Sequence, residues 1–455
     1  MTFQDEFGLE VSGGAAGSEL HWNALVRGFL AHSARTPEHL EALLAADPEM
    51  PLAQACRGLF CLLLGRRELH ATAREALAAA RRGAARSGVE RREAIYVEAL
   101  AAWLDGRPSV TVAHMEAILD GWPQDALAMK FSQAVRFILG DRLGMLASAE
   151  RVLPAYGAAH PARGYLFGCQ AFALEEAGRY DEAERRGRQA LEIAPDDAWG
   201  LHAVAHIFDM TARTREGIAY LDGNREAWAH CNNFRFHVWW HLALMHLDRG
   251  EIDRVLALYD DEIRRDHTDD YRDIANASSL LLRLELEGIA VGDRWEELAG
   301  LAEARVGDGC LAFADLHYML ALCGGGRGAA MQRLVRRMNV DALQNRGESD
   351  RVMRRPGLEA AKGLMAFCEG RHAAAFASLK AARPHMQDIG GSHAQRDVFE
   401  RITIEAAIRA GALGDAARII EDRSRRRGAC DAFGAQRGAA VAALSGDAAP
   451  RAGAF

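Results

Sequence analysis

A glycine that ends one apolar helix pattern and opens the next returns along most of the chain about every 38 residues, and no other feature restricts the fold as much. It stands in LLLGRREL at Gly65, WLDGRPSV at Gly106, ILGDR at Gly140, EEAGRYDEA at Gly178, LDRGEIDRV at Gly250, LELEG at Gly288, LCGGGRG near Gly325, FCEGRHAAA at Gly370 and IRAGALGDAA at Gly411. One interval is double, and Ala212-Arg213 in HIFDMTARTREG halves it. Between the turns Ala, Leu, Arg and Glu dominate, and no run alternates β-branched residues, so each interval reads as two helices. Such a pair cannot bury its apolar faces alone but can do so stacked on its neighbours. The period therefore predicts an all-α, right-handed solenoid of about ten helix pairs curled into a superhelix, one continuous domain over 19–440. Residues 1–18 and 441–455, polar and rich in Gly, Ala and Ser, read as a flexible N-terminus and a flexible C-terminal tail.

The unit FGCQAFALEEAGRYDEAERRGRQALEIAPDD, Phe167 to Asp197, resembles a tetratricopeptide repeat. Large, small and large apolar residues alternate on its first helix, Gly178 makes the turn, Ala183 and Ala190 lie on the second helix, and Pro195 precedes the next unit. Pro123 in GWPQDALA holds the corresponding place after Gly106. Beyond the repeat, HAVAHIFDM, FHVWWHLAL, NASSLLLRLELEG followed by FADLHYML, and IGGSHAQRDVF resemble the TPR-38-like family of bacterial and animal tetratricopeptide proteins, as does the early LEALLAADPEMPLAQACRGLF. The resemblance spans nearly the whole chain. It implies a tetratricopeptide-like superhelix and hardly touches activity.

Two histidine pairs stand out from this background. In WGLHAVAHIFDM, Leu201, Val204, Ala205 and Phe208 form a packed helix face, while His202 and His206, four apart, share a second face that Asp209 continues. FRFHVWWHLALMHLDRG repeats the arrangement with His237 and His241. The resemblance implies that the first helix of each repeat lines a concave groove and that all four histidines enter it from adjacent helices, which pack roughly 8–10 Å apart. The same alignment brings in Asp315 and His317 from FADLHYML and Ser278 and Ser279 from the unit between. Trp239 and Trp240 are adjacent and face different ways, which makes Trp239 core and Trp240 a groove wall. Ser392 reads as the N-cap of a helix carrying His393, Arg396, Asp397 and Arg401.

Such a set suits acid/base chemistry by His202, His206, His237, His241, Asp315, His393 and Asp397, with Trp240, Asp209, Ser278, Ser279, His317, Arg396 and Arg401 as substrate-binding groups. The two His-x3-His pairs equally suit a divalent transition metal at His202, His206, His237 and His241, and a structural role for the pairs stays open beside both. No Gly-rich phosphate loop, HExxH, GxSxG or CxxC accompanies them, so no nucleotide cofactor is expected. A net charge of −8 opposes nucleic acid or an anionic membrane as partner. The eight cysteines are scattered and suit reduced core thiols, and the absence of a long apolar window or leader pattern makes the cytoplasm the expected compartment. Two functions follow: a small-molecule-binding, catalytic pocket on the concave face, or a scaffold that holds a peptide or partner protein along its groove. His, Ser and Asp stand where peptide-binding grooves carry Lys, Arg and Asn, which favours the pocket.

Overall fold

A computed structural model of the chain describes residues 2–446 except 88 and 345. Within them consecutive helices pair as hairpins: Ser18–Leu30 with Thr36–Ala46, Pro51–Leu63 with Leu69–Ser87, Arg91–Leu104 with Pro108–Gly121, Ala126–Ile138 with Arg142–Val152, and Arg163–Glu176 with Tyr180–Ile193. The series continues with Ala198–Met210 and Thr214–Gly223, Phe234–Asp248 and Ile252–Leu258, Tyr271–Leu286 and Arg294–Arg305, Ala312–Gly324 and Gly328–Gln344, Leu358–Cys368 and His372–Ala382, and His393–Arg409 and Leu413–Arg427. The single helix Ala432–Leu444 ends it. The fold is the all-α, right-handed helix-hairpin solenoid of tetratricopeptide type. No described helix is long and apolar enough to cross a membrane.

The turns explain the period and its one irregularity. At Gly178 the backbone is left-handed, φ 78°, and the N–H groups of Gly178 and Arg179 close the helix on the carbonyls of Glu175 and Leu174. Ala212 occupies the same place one repeat on. Its φ is 55°, and Ala212 and Arg213 donate to Asp209 and Phe208 in the same pattern. A left-handed residue with a Cβ costs about 1–2 kcal/mol. Ala212→Gly is therefore expected to raise stability by about 1 kcal/mol in chemical denaturation, and a loss of stability would show that the turn is not held in this conformation.

The N-terminus departs from expectation. Thr2–Gln4 and Glu10–Ser12 form an antiparallel hairpin, and Phe7, Leu9 and Val11 are buried against the first repeats. At the other end, Val441 is buried inside the last helix, which extends to Leu444, while 447–455 lie outside the described residues.

The superhelix is wound tightly enough that its turns touch. The ends of successive first helices meet segments 150–247 residues further along. Arg66 pairs with Asp269 at 2.5 Å, Gly106 O accepts from Glu348 N at 2.9 Å, and Gln387 Nε2 donates to Gly140 O at 2.8 Å. Glu176 Oε1 accepts from His393 N at 2.6 Å, Asp209 O accepts from Arg427 Nη2 at 2.6 Å, and Glu287 pairs with Arg437 at 2.9 Å. The concave side is thereby enclosed rather than left as an open trough, and this seam fixes where the inward-facing side chains stand.

Candidate metal centre

Ala198–Met210 gives Leu201, Val204, Ala205 and Phe208 to the core and turns His202 and His206 inward; Phe234–Asp248 does the same with His237 and His241. The four rings meet. His202 Nε2 lies 2.9 Å from His206 Nε2 and 2.9 Å from His237 Nε2, and His237 Nε2 lies 3.1 Å from His241 Nε2. One nitrogen from each of the four falls within 4.8 Å of all the others. The sequence places them on the concave face, and there three of them are at most 1% exposed and His237 is 9% exposed. The enclosed superhelix is the physical reason.

Hydrogen-bond chemistry decides which nitrogens carry protons. His237 Nδ1 is 2.8 Å from Asn276 Oδ1, an oxygen that only accepts, so Nδ1 holds the hydrogen and Nε2 a lone pair. His206 Nδ1 faces Glu175 Oε2 at 3.5 Å; Glu175 is wholly buried and neither of its oxygens is otherwise hydrogen-bonded. That carboxylate favours the same tautomer in His206. Two lone pairs thus point at His202 Nε2, which has at most one hydrogen to share between them, while His202 Nδ1 and His241 Nδ1 have no hydrogen-bond partner and His206 Nδ1 has only the 3.5 Å approach of Glu175. Protons satisfy this arrangement poorly. One cation at the centre would satisfy all four nitrogens.

Burial holds His202 and His241 well below the usual imidazole range and His237 down at about 3, aided in His202 and His241 by repulsion from neighbouring imidazoles. His206 goes the other way: burial opposes its charge, but Glu175, Glu176 and Asp209 outweigh burial and raise it. Neutral imidazole is the ligand form, and an all-nitrogen set suits zinc, copper, nickel or iron rather than magnesium or calcium, which take oxygen ligands. With bonds of about 2.0–2.1 Å, nitrogens are about 3.4 Å apart around a tetrahedral ion and about 2.9 Å apart along the edges of a square. The three contacts of 2.9, 2.9 and 3.1 Å are short enough for one ion to be held between the rings. On the accessible side, half-buried Trp199, Phe234 and His32 form an aromatic wall, with His32 stacked 4.6 Å from Phe234.

Trp240, expected as a groove wall, is fully buried, stacks on His237 at 5.2 Å and donates to Ser279 Oγ at 3.1 Å; it holds the ring in place instead of facing open space. Ser279 thus supports the wall, whereas the Ser278 hydroxyl turns back onto Ile274 O at 2.5 Å. Asp315 does not reach the histidines. Arg337, on the second helix of its own hairpin, captures it, and burial pushes its pKa to about 6. His317 is spent on Phe313 O at 2.8 Å and packs on Phe399. Ser392 forms a capping box with Gln395, and the helix it starts brings His393 and Arg396 to Glu176, the neighbour of Glu175. Asp397 and Arg401 pair with each other at 2.8 Å and join Arg423 and Asp431, while Asp209 pairs with Arg427, so these three belong to the seam.

Glu175, Asn276, Phe172 and Phe234 were not singled out from the sequence. Asn276 carried a usable signal, since it stands nearly as far before Gly288 as His237 does before Gly250. Glu175 lay hidden in the EEAG turn of the most regular repeat. No protein-family model matches the chain. Among solved structures, one of Naa15/Naa10 bound to HypK-THB aligns over 89% of this chain and 68% of that chain, at 11% identity and a TM-score of 0.25, a likeness too distant to inform on activity.

Proposed function

We propose that the protein is a metal-dependent enzyme of tetratricopeptide type in which His202, His206, His237 and His241 hold one divalent transition-metal ion that acts on a small apolar molecule inside the superhelix. The observation that carries this reading is the meeting of four Nε2 atoms, with contacts of 2.9, 2.9 and 3.1 Å, while Asn276 and Glu175 occupy the Nδ1 sides of His237 and His206. A bound ion would supply Lewis-acid activation of water or of a substrate oxygen. Trp199, Phe234 and His32 would receive the apolar body of the substrate. Glu175 orients His206 and balances part of the ion's charge. Membership of the TPR-38-like family belongs to the same proposal, because HAVAHIFDM and FHVWWHLAL, which carry the resemblance, are the segments that supply the four ligands. The scaffold reading loses ground because contacts such as Glu176 with His393 and Asp209 with Arg427 enclose the groove along which a peptide would lie.

Elemental analysis of the full chain tests the centre. About one equivalent of a transition metal is expected on purification or after titrating the stripped chain with zinc, copper or nickel. Failure to take up any of these overturns it. Hydrolysis of small aromatic esters, amides or phosphoesters that arises with the metal and disappears on chelation would support the enzymatic part, and a tightly bound ion with no such activity would leave a structural centre.

A further inference from the structure

The seam encloses a cavity of about 260 Å³, away from the four histidines. It lies where the C-terminal ends of Ala198–Met210, Phe234–Asp248 and Tyr271–Leu286 meet His393–Arg409 and Ala432–Leu444. Leu244, Leu247, Ile252, Ile289 and Phe433 make its apolar wall. Most of the charged groups on it are neutralised within the protein: Asp397 and Asp431 by Arg401 and Arg423, Asp209 by Arg427, and Glu287 by Arg437.

Two groups of opposite sign are left over. Arg283 is wholly buried, donates only to the carbonyls of Ser279 at 3.1 Å and Ala394 at 2.8 Å, and has an Nε–H with no partner. Its nearest carboxylate oxygen, Asp397 Oδ2, is 4.0 Å away and already held by Arg401 and Arg423. Burial, reinforced by Arg401, pulls Arg283 down to about 9. The other group, Asp248, accepts one bond, from Ala432 N at 2.8 Å, and has no ion-pair partner among the described residues. Burial raises its carboxyl above the usual range. A buried cation whose Nε–H has no partner and a half-buried carboxylate with one backbone hydrogen bond and no ion pair line one small, partly apolar cavity, and a ligand carrying both complementary charges would pair with both.

We propose that this cavity binds a small zwitterion, an α-amino acid with an apolar side chain, whose carboxylate pairs with Arg283 and whose ammonium pairs with Asp248 while its side chain lies against Leu244 and Phe433. The proposal is independent of any metal at the histidines. Isothermal titration of the full chain tests it with leucine and with the two compounds that lack one charged end each, 4-methylpentanoate and 3-methylbutylamine. Leucine is expected to bind once per chain, and each one-ended compound at least about tenfold more weakly, the usual consequence of losing a charge-assisted hydrogen bond. Asp248→Asn, at a half-buried position, is expected to weaken leucine by about tenfold or more and leave 4-methylpentanoate unchanged. The proposal is overturned if neither leucine nor alanine, valine or phenylalanine binds. It is equally overturned if 4-methylpentanoate binds as tightly as leucine, because Asp248 then has no part in the site.

Discussion

His241→Ala should remove metal binding, lowering affinity by more than the roughly 10–100-fold that loss of an outer partner of a ligand costs. Asn276→Leu should fall within that smaller range, since it frees the His237 ring to turn and to change tautomer but keeps all four nitrogens. Competition with a chromophoric chelator measures both. Thermal melting gives the opposing arm. At metal concentrations about 1,000 times the dissociation constant, the native chain gains about 4 kcal/mol that the His241→Ala chain lacks. Without metal the difference should vanish or reverse, because removing one ring relieves the 3.1 Å contact between the Nε2 atoms of His237 and His241. If the metal-free variant instead melts far below the metal-free parent, the imidazoles are packing and hydrogen-bonding groups and the metal reading falls.

Arg423→Met should lower stability by about 3–5 kcal/mol, the usual cost of removing one partner from a buried ionic group. Arg423 is 2% exposed and bridges Asp397 and Asp431, with contacts of 2.6 Å to each. Methionine keeps most of the volume but leaves both carboxylates with only the more peripheral Arg401 and Arg427. Urea unfolding would show the loss, and a change below about 1 kcal/mol would mean that the network contributes little to the seam. The same network sets an acid limit. Burial opposes ionisation of Asp397 and Asp431, but the surrounding arginines outweigh it and hold both carboxyls below their usual range. Their contribution is therefore complete above the unfolded aspartate value near pH 4 and is lost as pH falls below it toward the folded values. The parent should lose stability steeply in that window, and Arg423→Met much less.

The hairpins were legible because most depend on a local signal, an apolar stripe followed by a glycine that tolerates left-handed backbone, and Ala212, an exception, was found from the spacing and not from its residue type. The quartet was legible for a similar reason: His202 with His206 and His237 with His241 share faces of neighbouring helices, a relation that spacing alone encodes. Asp315 was misplaced because an alignment says which residues leave a helix inward but not that Arg337 on the paired helix will draw one aside. Glu176 with His393, or Asp209 with Arg427, could not be read at all, since their meeting depends on superhelical pitch, a sum of small rotations over many repeats. The N-terminal hairpin was hidden by the Gly-, Ala- and Ser-rich run GGAAGS that follows it, because its strands are only three residues each and two of its buried residues, Phe7 and Leu9, lie between them.

All four imidazoles come from two neighbouring helices, between His202 and His241, whereas the last part of the seam waits for Arg423, Arg427 and Asp431. Synthesis runs from the N-terminus, so the ligand set and its outer partners Glu175 and Asn276 have left the ribosome before the C-terminal part of the seam can close, although Arg66 and Asp269 can already have met. An ion captured then would bind an intermediate still open toward the C-terminal repeats, which would close over it afterwards. Closure of that last part would slow the release of a bound ion and leave exchange to the side lined by Trp199, Phe234 and His32.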